Sequence, residues 1–204
     1  MKTIINTIPG YRVYEYLLVL NPHKELWEKI MKVKEEFADA YQSANARWSK
    51  PHIALANFVQ YNMMEDRIVH RLNAIAMGQF PFKIELKDFG SFPSHTIYIK
   101  VATKLPVQNL IKTIRAETQR LLKLNDDNKP HFILEPRINI AGKLHPWQYE
   151  KGWSEYSNKN FTGRFIADGM LLLKRPVGEV KFQIVSRFGF QNLPVVTKQG
   201  ELFG

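Results

Sequence analysis

The sequence predicts an α+β protein with two pseudo-symmetric lobes of antiparallel sheet, outer helices and a central cleft. Three observations lead there. Pro51-His52-Ile53-Ala54-Leu55-Ala56 is echoed about 85 residues later by Pro136-Arg137-Ile138-Asn139-Ile140-Ala141: proline, variable, isoleucine, variable, aliphatic, alanine in both. The order strand, helix, key strand, helix, strand occurs twice at the same offset. Finally, 204 residues with 45% apolar content can bury about 70% of the surface the unfolded chain exposes.

Taken in order, Tyr14 to Leu20 is an aromatic and aliphatic strand that hands over at Asn21-Pro22, a cap and a first-turn proline. Leu26, Ile30, Val33, Phe37 and Tyr41 then recur at spacings of three and four, which makes an amphipathic helix to about Gln42. Its lysines and glutamates read as a solvated face. A polar connection, Ser43 to Lys50, leads to the first key strand, His52 to Phe58. A helix from Met64 to Met77, closed by Gly78, precedes the strictly alternating strand Phe82 to Phe89. The second series reads His95 to Val101 as strand, Pro106 to Leu124 as helix, Arg137 to Ala141 as key strand and Pro146-Trp147 as the start of a short helix. A long strand, Phe161 to Leu173, and a last one, Val180 to Phe188, follow. The division expected is a single domain over residues 1–189, with pseudo-repeats at about 11–90 and 95–173 and a closing strand at 180–188, then a loose tail over 190–204.

Each key strand begins at a proline, which cannot donate to a ladder. Alternation then puts Ile53/Leu55 and Ile138/Ile140 on a core face, and His52/Ala54 and Arg137/Asn139 on a face free for chemistry. Placed symmetrically, the second set lines the cleft. There is no cysteine, which excludes disulfides, zinc-thiolate sites and a thiol nucleophile. No apolar run is long enough to cross a membrane, and the expectation is a soluble, cytoplasmic protein. With 29 basic against 19 acidic residues the net charge is +10, so nucleic acid or phosphorylated small molecules are the first partners to consider, beside the plainer reading of a basic surface kept for solubility. Nothing marks the oligomeric state.

Twinned Pro-His-x-Thr/Ser-aliphatic strands in a duplicated α+β frame mark the two-histidine (2H) phosphoesterase superfamily. Over Tyr14 to Phe188 the chain resembles its bacterial 2'-5' RNA ligase-like branch, which includes RNA 2',3'-cyclic phosphodiesterases. The resemblance implies a 2'-5' RNA ligase-like fold and metal-independent chemistry in which one histidine takes a proton, the other gives one, and the hydroxyls two residues on hold phosphate oxygens. No cofactor and no metal are expected, and no dense cluster of metal ligands surrounds the motifs.

At these positions the chain departs from the pattern. His52 remains, but Ala54 stands at the first hydroxyl position, Arg137 replaces the second histidine and Asn139 the second hydroxyl residue. Arginine stays protonated above about pH 12, so it cannot act as a general base, while its planar fork suits phosphate. What survives is an anion cradle, Arg137 and Asn139, with one titratable group, His52. His131 is a poor substitute: a continuous strand would put it roughly 20 Å from Arg137. His95 and His145 read as loop or surface histidines. Trp48, Trp147 and Tyr149 lie near the key strands, where core or interface packing is the favoured reading and stacking on a base the alternative. Arg47, Lys50 and Lys143 are candidates for steering phosphate inward. Three function classes follow: a 2H-like protein that binds a nucleotide or RNA phosphate with weak or absent catalysis, an active cyclic phosphodiesterase or RNA 2'-5' ligase using His52 with Arg137 as stabiliser, and a non-catalytic scaffold.

Overall fold

The computed structural model describes residues 11–193. The first series runs β1 (Val13–Leu20), α1 (Lys24–Tyr41), α2 (Ala44–Trp48), β2 (Ile53–Tyr61), α3 (Glu65–Met77) and β3 (Phe82–Phe92). The second runs β4 (Thr96–Val101), α4 (Lys104–Leu122), β5 (His131–Phe132), β6 (Arg137–Gly142), α5 (Pro146–Tyr156) and β7 (Thr162–Ala167); β8 (Gly169–Pro176) and β9 (Gln183–Gly189) close the order. The α+β class is as expected, with two antiparallel sheets: five strands in the order β5-β2-β1-β8-β9, and four in the order β6-β4-β3-β7.

Local chemistry explains most boundaries. The α1 cap is His23, whose Nδ1 accepts from Leu26 N–H at 3.2 Å, so the helix starts later than Asn21-Pro22 predicts. At its other end Gln42 takes the left-handed conformation, φ 52°. The expected long strand from Phe161 is two strands: at Asp168-Gly169 the chain leaves the four-stranded sheet and joins the five-stranded one. There, a side chain on residue 169 would meet Phe188 O at 2.5 Å, so only glycine allows β8 to lie so close to β9. The expected tail begins with anchored residues. Phe190 is buried, stacks on Phe82 at 6.1 Å, and donates its N–H to Asp168 O at 2.8 Å; residues 194–204 lie outside those described.

The two series do not correspond one to one with the sheets. β1 pairs with β2 and β4 with β6, but β3 pairs with β4, and β8 returns to pair with β1. The helices cross over as well. α1 packs on β6, β7 and α5, where Phe37 meets Tyr156 edge-on at 5.2 Å, while α4 packs on β2 and α3. One continuous core results, running from Leu18, Ile68 and Leu72 to Phe37, Ile97 and Ile138. It holds the two key strands, β2 and β6, side by side.

Candidate functional site

Both key strands enter through a buried proline, Pro51 or Pro136. Both then carry a β-bulge at the same motif position. In β2, Leu18 pairs with Ala56 and Val19 with Ala54, which leaves Leu55 over; in β6, Ile97 pairs with Ala141 and Tyr98 with Asn139, which leaves Ile140 over. A bulge resets the alternation, so Ala56 and Ala141 turn into the core while the residues before the bulge keep the opposite face. Ile53, Leu55, Ile138 and Ile140 are fully buried; His52, Ala54 and Arg137 are half-buried and Asn139 is exposed.

His52 Nδ1 lies 2.8 Å from Lys50 O. A carbonyl only accepts, so Nδ1 carries the proton and Nε2 keeps the lone pair. Burial pushes the imidazole below its ordinary value; the Lys50 bond opposes this in part and the charge of Lys34 adds to it. The ring is therefore neutral at neutral pH. Ala54 has no polar atom to offer.

Arg137 sits on an aromatic bed. Its guanidinium lies 4.5 Å from the centre of Phe92 and 5.8 Å from that of Tyr98. Tyr98 reaches this place because its cross-strand partner is Gly90: a Cβ there would stand 2.6 Å from the tyrosine ring. Nη1 donates to Glu135 O at 3.0 Å, and Nε is buried without a hydrogen-bond partner among the described residues. Burial lowers the arginine's pKa, but its charge persists at neutral pH. Arg137 opens on a cleft of about 590 Å³ that Phe92, Tyr98, Lys87, Lys100, Lys104, Asp88 and Glu135 also line, with Lys104 paired to Glu135. His52, Ala54 and Asn139 do not line it. A larger groove of about 1010 Å³ between α3 and α4 begins at Gln60, the far end of β2 from His52, and carries no motif residue.

What joins the two motifs is Lys34, which by residue type alone reads as part of a solvated face. It is fully buried, and Nζ donates to Ser49 Oγ at 2.8 Å, Asn139 O at 2.9 Å and Ile140 O at 2.8 Å. Burial pulls its pKa down to about 7. A signal was available: Lys34 falls four residues after Ile30 and three before Phe37, inside the apolar stripe of α1.

Of the other candidates, Trp48 is 78% exposed and Trp147 44%, so neither fills the core; Tyr149 is partly buried, with its hydroxyl 3.0 Å from Ser91 Oγ. Arg47 pairs with Asp39, while Lys50 and Lys143 are exposed. His131 pairs with Asn57 in a separate two-residue strand, His95 Nδ1 contacts Thr96 Oγ1 at 2.6 Å, and His145 precedes α5 with its N–H donated to Gln148 Oε1. Among the described residues no group of three or more histidines or carboxylates is placed to hold a metal, and no helix is long and apolar enough to cross a membrane.

Residues 22–179 match the 2'-5' RNA ligase superfamily, which is most of the chain. The chain belongs to that superfamily. Solved structures agree in fold. E. coli LigT in apo form superposes with a TM-score of 0.63 at 12% identity, over 87% of this chain and 98% of that one. LigT complexed with 3'-AMP gives 0.62 at 13%, over 89% and 99%. TT0787 of Thermus thermophilus gives 0.57 at 16%, over 87% and 98%. At such identity the likeness is one of fold alone, the LigT-like arrangement of two antiparallel sheets. No match was found among curated proteins.

Proposed function

We propose that this member of the 2'-5' RNA ligase superfamily binds a nucleotide or RNA phosphate at Arg137, with weak or absent catalysis, and that His52 and Asn139, which lie on the two key strands outside the cleft Arg137 lines, take part where the ligand extends beyond it. The observation that carries the reading is Arg137. Its guanidinium lies 4.5 Å from the centre of the Phe92 ring and 5.8 Å from that of Tyr98, at a cleft where Lys87, Lys100 and Lys104 outnumber Asp88 and Glu135, and Nε has no protein acceptor among the described residues. A guanidinium suits phosphate oxygens, and the net charge of +10 favours anions at a distance. Crystal structures of E. coli LigT complexed with phosphate and with 3'-AMP provide a parallel in a fold relative.

Loss of a general acid/base histidine typically forfeits about 100- to 10,000-fold in rate, so 2',3'-cyclic phosphates should be opened slowly if at all. One observation favours the catalytic alternative: His52 is neutral, with its tautomer set by Lys50 and Nε2 available, as a general base requires. Hydrolysis of 2',3'-cyclic nucleotides beside a His52→Ala control separates the readings. The triple variant Ala54→Thr, Arg137→His, Asn139→Thr restores the family pattern and should gain activity that disappears when His52→Ala is added. Native turnover of about 1 per second or more, abolished by His52→Ala, would establish the catalytic reading instead. Failure of the native protein to bind inorganic phosphate or 3'-AMP would leave the scaffold reading.

A further inference from the structure

The symmetry of the two motifs breaks at one point, and Lys34 occupies it. A bulge leaves carbonyls outside the regular ladder, and buried carbonyls need donors. In the first motif, the Leu55 carbonyl accepts from Ile133 N–H at 2.9 Å, just beyond β5, which flanks β2. The second motif has no such neighbour, because β6 is the edge of its sheet. There the carbonyls of Asn139 and Ile140 accept from Lys34 Nζ instead, 105 and 106 residues away in sequence. The third partner is Ser49 Oγ, in the segment that leads through Pro51 to His52. An ammonium has three donors, and all three are used. Every partner is neutral, so the charge is not cancelled where it sits. Lysine is almost never fully buried unless paired, which makes this placement a strong constraint.

We infer that Lys34 is the positioning residue of this site: its ammonium takes the place of an edge strand, fixes the Asn139–Ile140 backbone against the segment that delivers His52, and sets a positive charge beside the imidazole. This rests on the reading of the two motifs as one site and deepens it. Among the described residues, His52 is a titrating group on which the Lys34 charge acts. His52 heads β2; further along α1, Asp39 is held by Arg47 next to α2, and Tyr41 donates to Glu155 of α5.

Nuclear magnetic resonance on the full-length protein without ligand tests the inference, so its failure is distinct from a failure to bind phosphate. In the native protein the Lys34 ammonium protons should exchange with water roughly tenfold or more slowly than those of surface lysines. In Lys34→Met, which keeps the length and removes the charge, the titration midpoint of His52 should move up by the part that the Lys34 charge contributes, while burial still holds it below the ordinary imidazole value. Lys34→Arg keeps the charge and should hold it down. A purely structural lysine would lower the melting temperature in both variants without separating their His52 midpoints. Should neither variant fold, Ser49→Ala decides: loss of one acceptor should speed exchange of the Lys34 ammonium in an otherwise native spectrum. A folded Lys34→Met protein whose His52 titrates as in the native chain overturns the inference. So does a native Lys34 ammonium that exchanges like the surface lysines, or a folded Ser49→Ala protein in which its exchange is unchanged.

Discussion

Lys34 and Arg137 both place cationic nitrogen out of water, and only the lysine can respond by giving up its proton. Its folded value of about 7 lies below the 10.5 of an unfolded chain. Between those limits the unfolded state binds more protons, so stability rises with pH across the window and is flat in this respect below it. The whole window is worth at most about 5 kcal/mol, and urea unfolding at pH 7 and pH 9 should show part of that gain in the native protein and little in a folded Lys34→Met variant. His52 is also lowered in the folded state, so its contribution has the same sign: stability falls as pH drops through the unfolded imidazole value near 6.5. Arg137 keeps its charge and instead lacks a partner at Nε among the described residues. Replacing it with alanine should cost about 1.5–3 kcal/mol of phosphate affinity, measured by titration calorimetry, and should flatten the salt dependence.

Strands β2 and β6 each change face within their own length. The residues before each bulge present positions 52 and 54, or 137 and 139, and the alanine after it returns to the core. On the neighbouring strands, Gly90 and Tyr98 prepare the bed on which Arg137 lies. Gly90→Ala would drive a methyl group into the outer atoms of the Tyr98 ring, which can swing away. The expected result is a change in stability within about 1 kcal/mol together with a clear fall in phosphate affinity, because the guanidinium loses one of its two supporting rings. Thermal denaturation and phosphate titration on the same variant check both parts; unchanged affinity would mean that Tyr98 does not orient Arg137.

Across the molecule the duplicated halves are interleaved. β3 leaves the first series for the second sheet, β8 returns to the first, and α1 and α4 each cover the sheet of the other series. Either half alone would expose its helix stripe and an unpaired strand edge, with no face to bury them against. Residues 11–92 and 95–193 produced separately should therefore lack a cooperative unfolding transition, and mixing them should restore one; circular dichroism on each piece and on the mixture provides the measurement. An independently folded half would contradict the shared core.

The sequence by itself determined most of the elements and the twin motifs, because both are written in local periodicity or residue identity; that Ala54, Arg137 and Asn139 depart from a catalytic pattern is read only against the resemblance to a family. Periods of two and 3.6 report which side of an element is apolar. They do not report what that side meets. The stripe of Leu26, Ile30, Phe37 and Tyr41 is plain, yet that it covers the second sheet follows from packing against Gly163 and Tyr156, residues far along the chain. The long strand expected from Phe161 runs through Asp168-Gly169, a dipeptide that marks a turn, and the two separate sheets show that the chain changes sheet there. Lys34 shows the limit most clearly: by type it belongs in water, and only tertiary structure decided otherwise, by bringing to it the carbonyls of an edge strand that has no further strand to satisfy them.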